Sequence, residues 1–237
     1  MQNWNAPVLT HTDADHIGGL IKILSDDCCP HIDEIWFNAT DKINIFPTTN
    51  KISNNTSYKD GNTFASLIHQ KKIKHKNNIT VDDWSSEIRL SADLYIKIIS
   101  PTKERLNIFY EKWDSSIYTK INNKTSSTSS DYHETLESLK LKPLGFDVSI
   151  PNGASIAFIL RYKNSKFLFS GDAHHRISNY PKVIVYFLPN SSINCQIFKL
   201  SHHGSSSNIS RELLSIINTD KYLICCKGWN ICHTKRP

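Results

Sequence analysis

Four side chains that can ligate a metal lie close together near the start of the chain. His11, Asp13, Asp15 and His16 form the stretch HTDADH, between an apolar run and a Gly-Gly pair. In an extended loop, residues two apart point the same way, so His11 and Asp13 share a face. Imidazole nitrogen and carboxylate oxygen together suit a divalent ion such as Zn²⁺ or Mn²⁺. A helix start alone would favour one capping aspartate but would not require histidines, so the motif predicts a metal site.

Two further motifs follow apolar runs later in the chain. In FLFSGDAHH, Asp172 comes after a Ser-Gly turn; in KLSHHGSSS, His202 and His203 stand together at the end of a run. Gly-Asp turns are common, and the histidines after Asp172, His174 and His175, are expected in a surface turn. Since strand ends on one edge of a sheet are where α/β proteins collect their sites, the joint pattern predicts that the three motifs meet.

The elements that position these motifs follow from the apolar patterns. Strands are predicted at VLT before His11 and at 33–38, 91–100, 154–162, 166–173, 195–205 and 221–226. Helices are predicted at HIGGLIKIL and at 64–75, 102–113 and 211–218. Strands and helices mix without strict alternation, which predicts α/β (α+β) layers with partly antiparallel sheets.

Composition places the chain among globular proteins. Its 237 residues are 39% hydrophobic and fit one domain, residues 1–237, with a flexible polar loop rich in Ser, Thr and Asn at 114–135. No apolar run reaches the roughly 18 residues of a membrane span. The start MQNWNAPVLT does not resemble a secretory signal, and the adjacent Cys28-Cys29 pair does not resemble a disulfide framework. A cytoplasmic protein is expected.

The order HTDADHIGG, GDA, SHHGS resembles the metallo-β-lactamase fold over nearly the whole chain. It is most similar to the branch that contains the soluble domain of the DNA-uptake protein ComEC and stand-alone hydrolases of bacterial defence loci. The run PNGASIAFIL before FLFSGDA also matches that branch, as does GWNICH near the end. The resemblance implies an αββα sandwich with a metal cleft at one edge, holding two divalent ions, zinc or manganese.

The resemblance also implies roles for individual residues. The metal ligands would be His11 and Asp13 for the first ion, Asp15, His16 and His202 for the second, and Asp172 bridging both. The substrate cleft would be lined by His203, Ser205 and His233, and the roles of His202 and His203 could be exchanged. The middle histidine ligand of the family falls near Asn152, which leaves the first ion with fewer strong ligands.

The chain departs from the family pattern at both ends. Only ten residues precede His11, where the family has further strands, and Thr234 stands where the family has a proline. A domain that lacks its N-terminal strands is therefore expected, with exposed apolar residues beside the VLT strand.

The chemistry expected from such a centre is hydrolysis. Two ions about 3.5–4 Å apart suit a phosphodiester, with Asp15 orienting water and His203 or His233 acting as proton donor or phosphate contact. The carboxylate-rich motif and the net charge of +6 favour a phosphodiester over a β-lactam. The basic stretch at 71–76 could touch nucleic acid, but a solvated helix face is expected. The leading hypothesis is a nuclease or phosphodiesterase acting on nucleic acid or a nucleotide.

Two alternatives stay open. One is a catalytically weak metal-binding subunit that works with protein partners in a defence or DNA-uptake assembly. The other is a thioester or lactam hydrolase of the same superfamily.

Overall fold

The fold mixes helices with a multi-stranded sheet. A computed structural model describes residues 3–4, 6–42, 56–84, 86–118, 135–141, 145–174 and 192–225. The helices are α1 (Ala14–Ser25), α2 (Thr56–Gln70), α3 (Lys103–Tyr118), α4 (Leu136–Leu141), α5 (Ile150–Gly153) and α6 (Arg211–Ile216). The strands are β1 (Asn3–Trp4), β2 (His31–Ile32), β3 (Glu34–Trp36), β4 (Lys74–Lys76), β5 (Ile88–Arg89), β6 (Leu94–Ser100), β7 (Ala157–Tyr162), β8 (Ser165–Phe169), β9 (Ile193–Asn194), β10 (Ile197–Lys199), β11 (Ile217–Asn218) and β12 (Tyr222–Leu223).

The largest sheet has six strands in the order β12-β10-β8-β7-β6-β5. Strands β8, β10 and β12 run parallel, whereas β5 to β8 form antiparallel neighbours. The carboxyl ends of β8 and β10 therefore lie at the same edge of the sheet as the amino end of β7. Loops that leave or enter these strands meet at that edge.

A smaller group of strands lies beside the first helices. Strand β1 pairs with β2 and β3 pairs with β4, both in parallel, and Val8 forms a further parallel bridge with Trp36. The segment at Val8 also reaches the large sheet, because the Ile156 amide donates to the Thr10 carbonyl at 2.9 Å. Residues 8–10 thus join the two strand groups immediately before His11.

Side chains alternate between two faces of the large sheet, as the period of a strand requires. Ile96, Ile98, Phe158 and Leu160 pack with Trp36 and Val8 from the smaller strands. The opposite face, with Ile159 and Leu168 among its residues, packs against Leu213 of α6. Helices α1, α2 and α3 cover the other side of β3 through a third cluster built on Ile35, Phe37 and Trp113.

Several element bounds differ from the sequence prediction. The helix predicted at 64–75 is α2, which begins at Thr56 and ends at Gln70; 74–76 is strand β4, so the prediction of a solvated helix face there is wrong. The Lys76 ammonium lies 4.9 Å from the Trp36 ring centroid and 4.7 Å from that of Trp84. Helix α3 runs to Tyr118, so residues 114–118 of the loop predicted at 114–135 are helical; residues 119–134 lie outside the described part of the chain.

The expectation of exposed apolar residues beside the VLT strand is also wrong for the described part of the chain. Leu9 is buried, and its amide donates to the Trp36 carbonyl at 2.9 Å. Trp36 returns a bond from its own amide to the Pro7 carbonyl at 3.0 Å. The segment therefore has a paired neighbour.

Among the helices that the structure describes, none has the length and apolar character to cross a membrane.

Candidate metal centre

The three sequence motifs meet at one edge of the large sheet. Asp172 follows β8 directly, and His202 follows β10, whose Lys199 pairs with Phe169 of β8. The His202 amide donates to the Gly171 carbonyl at 3.2 Å, which ties the two turns together. His11 follows residues 8–10, which form hydrogen bonds with both strand groups. The prediction that these motifs lie together is confirmed by the positions of their side chains.

The more buried group joins His11, His16 and Asp172, whose candidate ligand atoms all lie within 4.8 Å of one another. Asp172 Oδ2 is 3.6 Å from His11 Nε2, and its Oδ1 is 3.3 Å from His16 Nε2. His11 and Asp172 are nearly inaccessible, with side-chain exposures of 1% and 3%. His11 Nε2, His16 Nε2 and Asp172 Oδ1 are all buried without a hydrogen-bond partner. Buried polar atoms usually have a partner, so the group is incomplete as a purely structural cluster.

Thr10 orients both rings. Its hydroxyl oxygen lies 3.0 Å from His11 Nδ1 and 3.2 Å from His16 Nδ1. A hydroxyl oxygen can accept two hydrogen bonds. When both Nδ1 atoms donate to it, both Nε2 lone pairs face Asp172. This is how outer residues orient histidine ligands in metal sites.

The electrostatics of the group match the protonation states that metal ligands need. Burial, with the neighbouring His16, lowers the pKa of His11 to about 3, so its ring is neutral near pH 7. Burial raises the pKa of Asp172, but its close contacts with the rings of His16, His11 and His202 together outweigh burial and lower the pKa to about 2. A neutral imidazole and an ionised carboxylate are the forms that bind divalent metals.

A second group, formed by Asp15, His16 and His203, adjoins the first on its solvent-exposed side. His203 Nε2 is 2.7 Å from Asp15 Oδ2, and His16 Nε2 is 3.7 Å from the same oxygen. Burial raises the pKa of Asp15, but the hydrogen bond with His203 and the nearby His16 ring, together with a backbone hydrogen bond, outweigh burial, so the net shift is downward. The other ring nitrogen of His203, Nδ1, faces the carbonyl oxygen of Cys225. Both members of this pair are accessible to solvent, unlike His11 and Asp172.

His202 approaches the centre from another side. Its Nε2 is 3.9 Å from Asp172 Oδ2, and it joins neither of the two groups. The structure thus brings His203, rather than His202, next to Asp15 and His16. His202 and His203 have φ values of 45° and 55°, a left-handed conformation that is costly outside glycine and is found at functional sites.

Asp13 precedes α1 and lies at the edge of the group. Its Oδ2 is 3.7 Å from His11 Nε2, and its side chain is 33% exposed. Burial raises its pKa. Its carbonyl accepts the first hydrogen bonds of the helix, from the amides of His16 and Ile17, so the residue also fixes where the helix begins.

The residues predicted to lie in the substrate cleft differ in burial and in their hydrogen-bond partners. Asn152 is buried: its Nδ2 donates to Asp147 Oδ2 at 2.7 Å, and its Oδ1 has no partner. Ser205 is half-buried, and its hydroxyl accepts from the Ser207 amide at 3.3 Å. His233 lies outside the described residues.

Sequence reasoning missed the polar residues behind the ligands. His174 is 8% exposed, so its prediction as a surface residue is wrong. Its Nε2 lies 3.5 Å from Oδ1 of Asp147, a carboxylate that also faces His202 Nδ1 at 3.3 Å. Burial raises the pKa of Asp147, but its contacts with the rings of His174 and His202 and the hydrogen bonds from two asparagine amides together lower the pKa far below the usual range. Nothing in the stretch GFDVS that holds Asp147 signals this role.

No protein-family model matches the chain, and no curated protein matches it either.

Proposed function

We propose that the chain is a metal-dependent hydrolase of metallo-β-lactamase-like fold that cleaves phosphodiesters. One observation carries the proposal: three buried ligand atoms, on His11, His16 and Asp172, converge without hydrogen-bond partners. Leaving such atoms unsatisfied costs about 1–3 kcal/mol each. Divalent cations bound at these atoms would satisfy all of them, and the nitrogen and carboxylate chemistry of the ligands fits zinc or manganese.

The layer order supports the fold part of the proposal. Helices α1 to α3 cover one side of the small strands, the large sheet packs on their other side, and α6 covers the far face of that sheet. Helix, strand, strand, helix is the order of an αββα sandwich. The candidate centre lies at one edge of these strands, where such a sandwich would hold its metals.

Two ions would have distinct sets of ligands. His11, Asp13 and Asp172 would hold the first, and Asp15 and His16 would face the second, with His203 beside Asp15 and His202 beside Asp172. When bound, divalent ions supply Lewis-acid polarisation of a phosphoryl oxygen and activation of a water molecule. The residues present fit ions of this kind because the two buried members are already in the required protonation states.

The Asp15–His203 pair is suited to move a proton. Both ring nitrogens of His203 face acceptors, Asp15 Oδ2 and the Cys225 carbonyl oxygen. Both can donate only when the ring carries two protons. In that form His203 is a proton donor for a leaving oxygen, with the Asp15 carboxylate stabilising its charge. This arrangement favours an ester with an alkoxide leaving group, as in a phosphodiester.

Metal content and hydrolysis together test the proposal. Protein purified without chelator should carry zinc or manganese by mass spectrometry and should hydrolyse bis(p-nitrophenyl) phosphate. The near-isosteric Asp172→Asn variant should lose both properties while remaining folded. His31→Ala is the matched control, since His31 is an exposed histidine paired with Asp33 at 3.0 Å, away from the centre. Folded wild-type protein that binds no added zinc or manganese would contradict the proposal.

A second candidate function is a metal-binding subunit with little hydrolysis of its own. It is favoured by Asn152, which offers a neutral amide where the resembled family has a histidine and is held by Asp147. A protein that binds metal through Asp172 but hydrolyses no phosphodiester would favour this candidate over the first.

A further inference from the structure

A carboxylate lies on each side of the His202 ring. Nε2 of His202 faces Asp172 at 3.9 Å, whereas Nδ1 faces Asp147 Oδ2 at 3.3 Å. Nδ1 also lies 2.9 Å from Oδ1 of Asn208. Both of these neighbours are acceptors, so Nδ1 is the ring nitrogen that must carry a proton. A neutral His202 therefore keeps its Nε2 lone pair directed at Asp172.

Asp147 is held firmly in this position. The Ser149 amide donates to its Oδ1 at 2.8 Å, and the side chains of Asn152 and Asn208 donate to its Oδ2 at 2.7 and 2.8 Å. These bonds occupy the lone pairs of the carboxylate with N–H donors. Asp147 is therefore unsuited to bind a cation itself, although it lies directly behind the ring of His202, a candidate ligand.

Asn208 fixes the orientation of the network. Its amide nitrogen donates to Asp147 Oδ2 and, at 3.1 Å, to the Asp172 carbonyl. With both of its N–H groups engaged, its oxygen is left for His202 Nδ1. The residue is fully buried, so an exchange of its amide oxygen and nitrogen would break three bonds in the interior.

We propose that Asp147 is a positioning residue: with Asn208 it holds His202 in the Nδ1–H tautomer, so that Nε2 is free to bind a divalent ion beside Asp172. The inference rests on the proposed metal centre and adds to it a residue that the motifs do not contain. Outer carboxylates that accept a ring N–H from a histidine ligand raise metal affinity by about 10–100-fold. Asp147 acts through His202 and touches no reacting atom.

A double-mutant cycle tests whether Asp147 acts through His202. In chelator-competition titrations with Mn²⁺ and Zn²⁺, Asp147→Asn should lower affinity by about 10–100-fold in the wild-type background. In a His202→Ala background, the same change should have no further effect. Equal losses in both backgrounds would overturn the proposal, because they would show general disruption. Asp114→Asn, which alters a carboxylate bonded to Thr40 and Lys42, is the control and should leave affinity unchanged.

The tautomer of His202 can be measured directly, without changing Asp147. Nitrogen NMR of histidine-labelled, metal-free protein, with His202→Gln to assign the signal, should show Nδ1–H at a pH where the ring is neutral. An Nε2–H tautomer would overturn the proposal even if Asp147→Asn fails to fold. Because this measurement uses no metal, it also separates the two ideas: a chain that binds no metal but shows the Nδ1–H tautomer would refute the metal centre and leave the positioning intact.

Discussion

Replacement of Thr10 by valine should weaken both the fold and the candidate centre. The hydroxyl is shared by Nδ1 of His11 and Nδ1 of His16, and valine has the same shape without the acceptor. His11 is 3% exposed, so water cannot replace the lost bond. A buried donor left unsatisfied costs about 1–3 kcal/mol. His16 is partly accessible, and a typical net hydrogen bond adds about 1 kcal/mol. We expect a total loss of about 2–4 kcal/mol in the metal-free protein.

The same change should also affect metal binding. Without a common acceptor, each ring is free to take the Nε2–H tautomer, which removes the lone pair that would face Asp172. A loss of about 10–100-fold in affinity is expected for an outer residue of this kind. Urea unfolding with chelator present gives the first quantity, and chelator competition with added Mn²⁺ gives the second.

Thr12→Val is the matched control for this experiment. Thr12 lies two residues away, is fully buried, and bonds to Ser57 at 2.6 Å rather than to a ring nitrogen. It should lose stability by about 1–3 kcal/mol and keep its metal affinity. If Thr10→Val also keeps wild-type metal affinity, Thr10 does not orient the two histidines, and the interpretation of the shared hydroxyl is wrong.

Two further changes test the packing and the electrostatics. A Cβ at Gly61 would lie 2.5 Å from the indole carbons of buried Trp113, so Gly61→Ala should destabilise the protein by about 1–3 kcal/mol. A Cβ at Gly18 would have no atom within 4 Å, so Gly18→Ala should stabilise the protein by about 0.5–1 kcal/mol. Thermal and urea unfolding of the two variants measure these changes. Burial lowers the pKa of His75 below 6.5 in the fold, despite its bond to the Phe37 carbonyl. The unfolded chain therefore binds that proton more readily, and the free energy of unfolding should fall as pH drops below 6.5, by at most about 1.4 kcal/mol per pH unit. Urea unfolding at pH 7.5 and 5 should show a smaller difference for His75→Gln; an equal difference would assign the acid sensitivity to other groups.

Local sequence was informative where a motif stands at the end of a buried strand. The SGD turn after β8 and the HHG turn after β10 are marked by apolar runs that end in polar residues. Strands buried on both faces have such runs, and the loops at their ends lie at one edge of the sheet. The meeting of Asp172 with His11 and His16 could therefore be predicted without knowing the order of strands.

The bounds of α2 could not be predicted in this way. Its first half, TSYKDGN, is polar and contains Gly61, whose helix propensity is poor. The absence of a Cβ at Gly61 lets the indole of Trp113 from α3 pack against the helix. The helix is thus stabilised by a contact between residues far apart in sequence, and local propensity does not report such contacts.

The outer residues of the centre escaped prediction for a related reason. Asp147 and Asn208 are separated by 61 positions and bond directly to each other and to His202. Neither lies in a motif, because a carboxylate or amide that orients a ligand needs no particular neighbours in sequence. The packing of the 145–149 segment against Ser207, whose carbonyl accepts from the Asp147 amide at 3.3 Å, places them side by side.

The turn at His202 places left-handed backbone at this edge of the sheet. Three successive residues, His202, His203 and Gly204, have φ values of 45°, 55° and 85°. Left-handed backbone costs about 1–3 kcal/mol at a residue other than glycine. In a continuing strand, the adjacent side chains of His202 and His203 would point to opposite faces of the sheet. The left-handed turn instead lets the first ring face Asp172 and Asp147 while the second reaches Asp15. The left-handed turn therefore brings two neighbouring histidine rings to the same candidate centre.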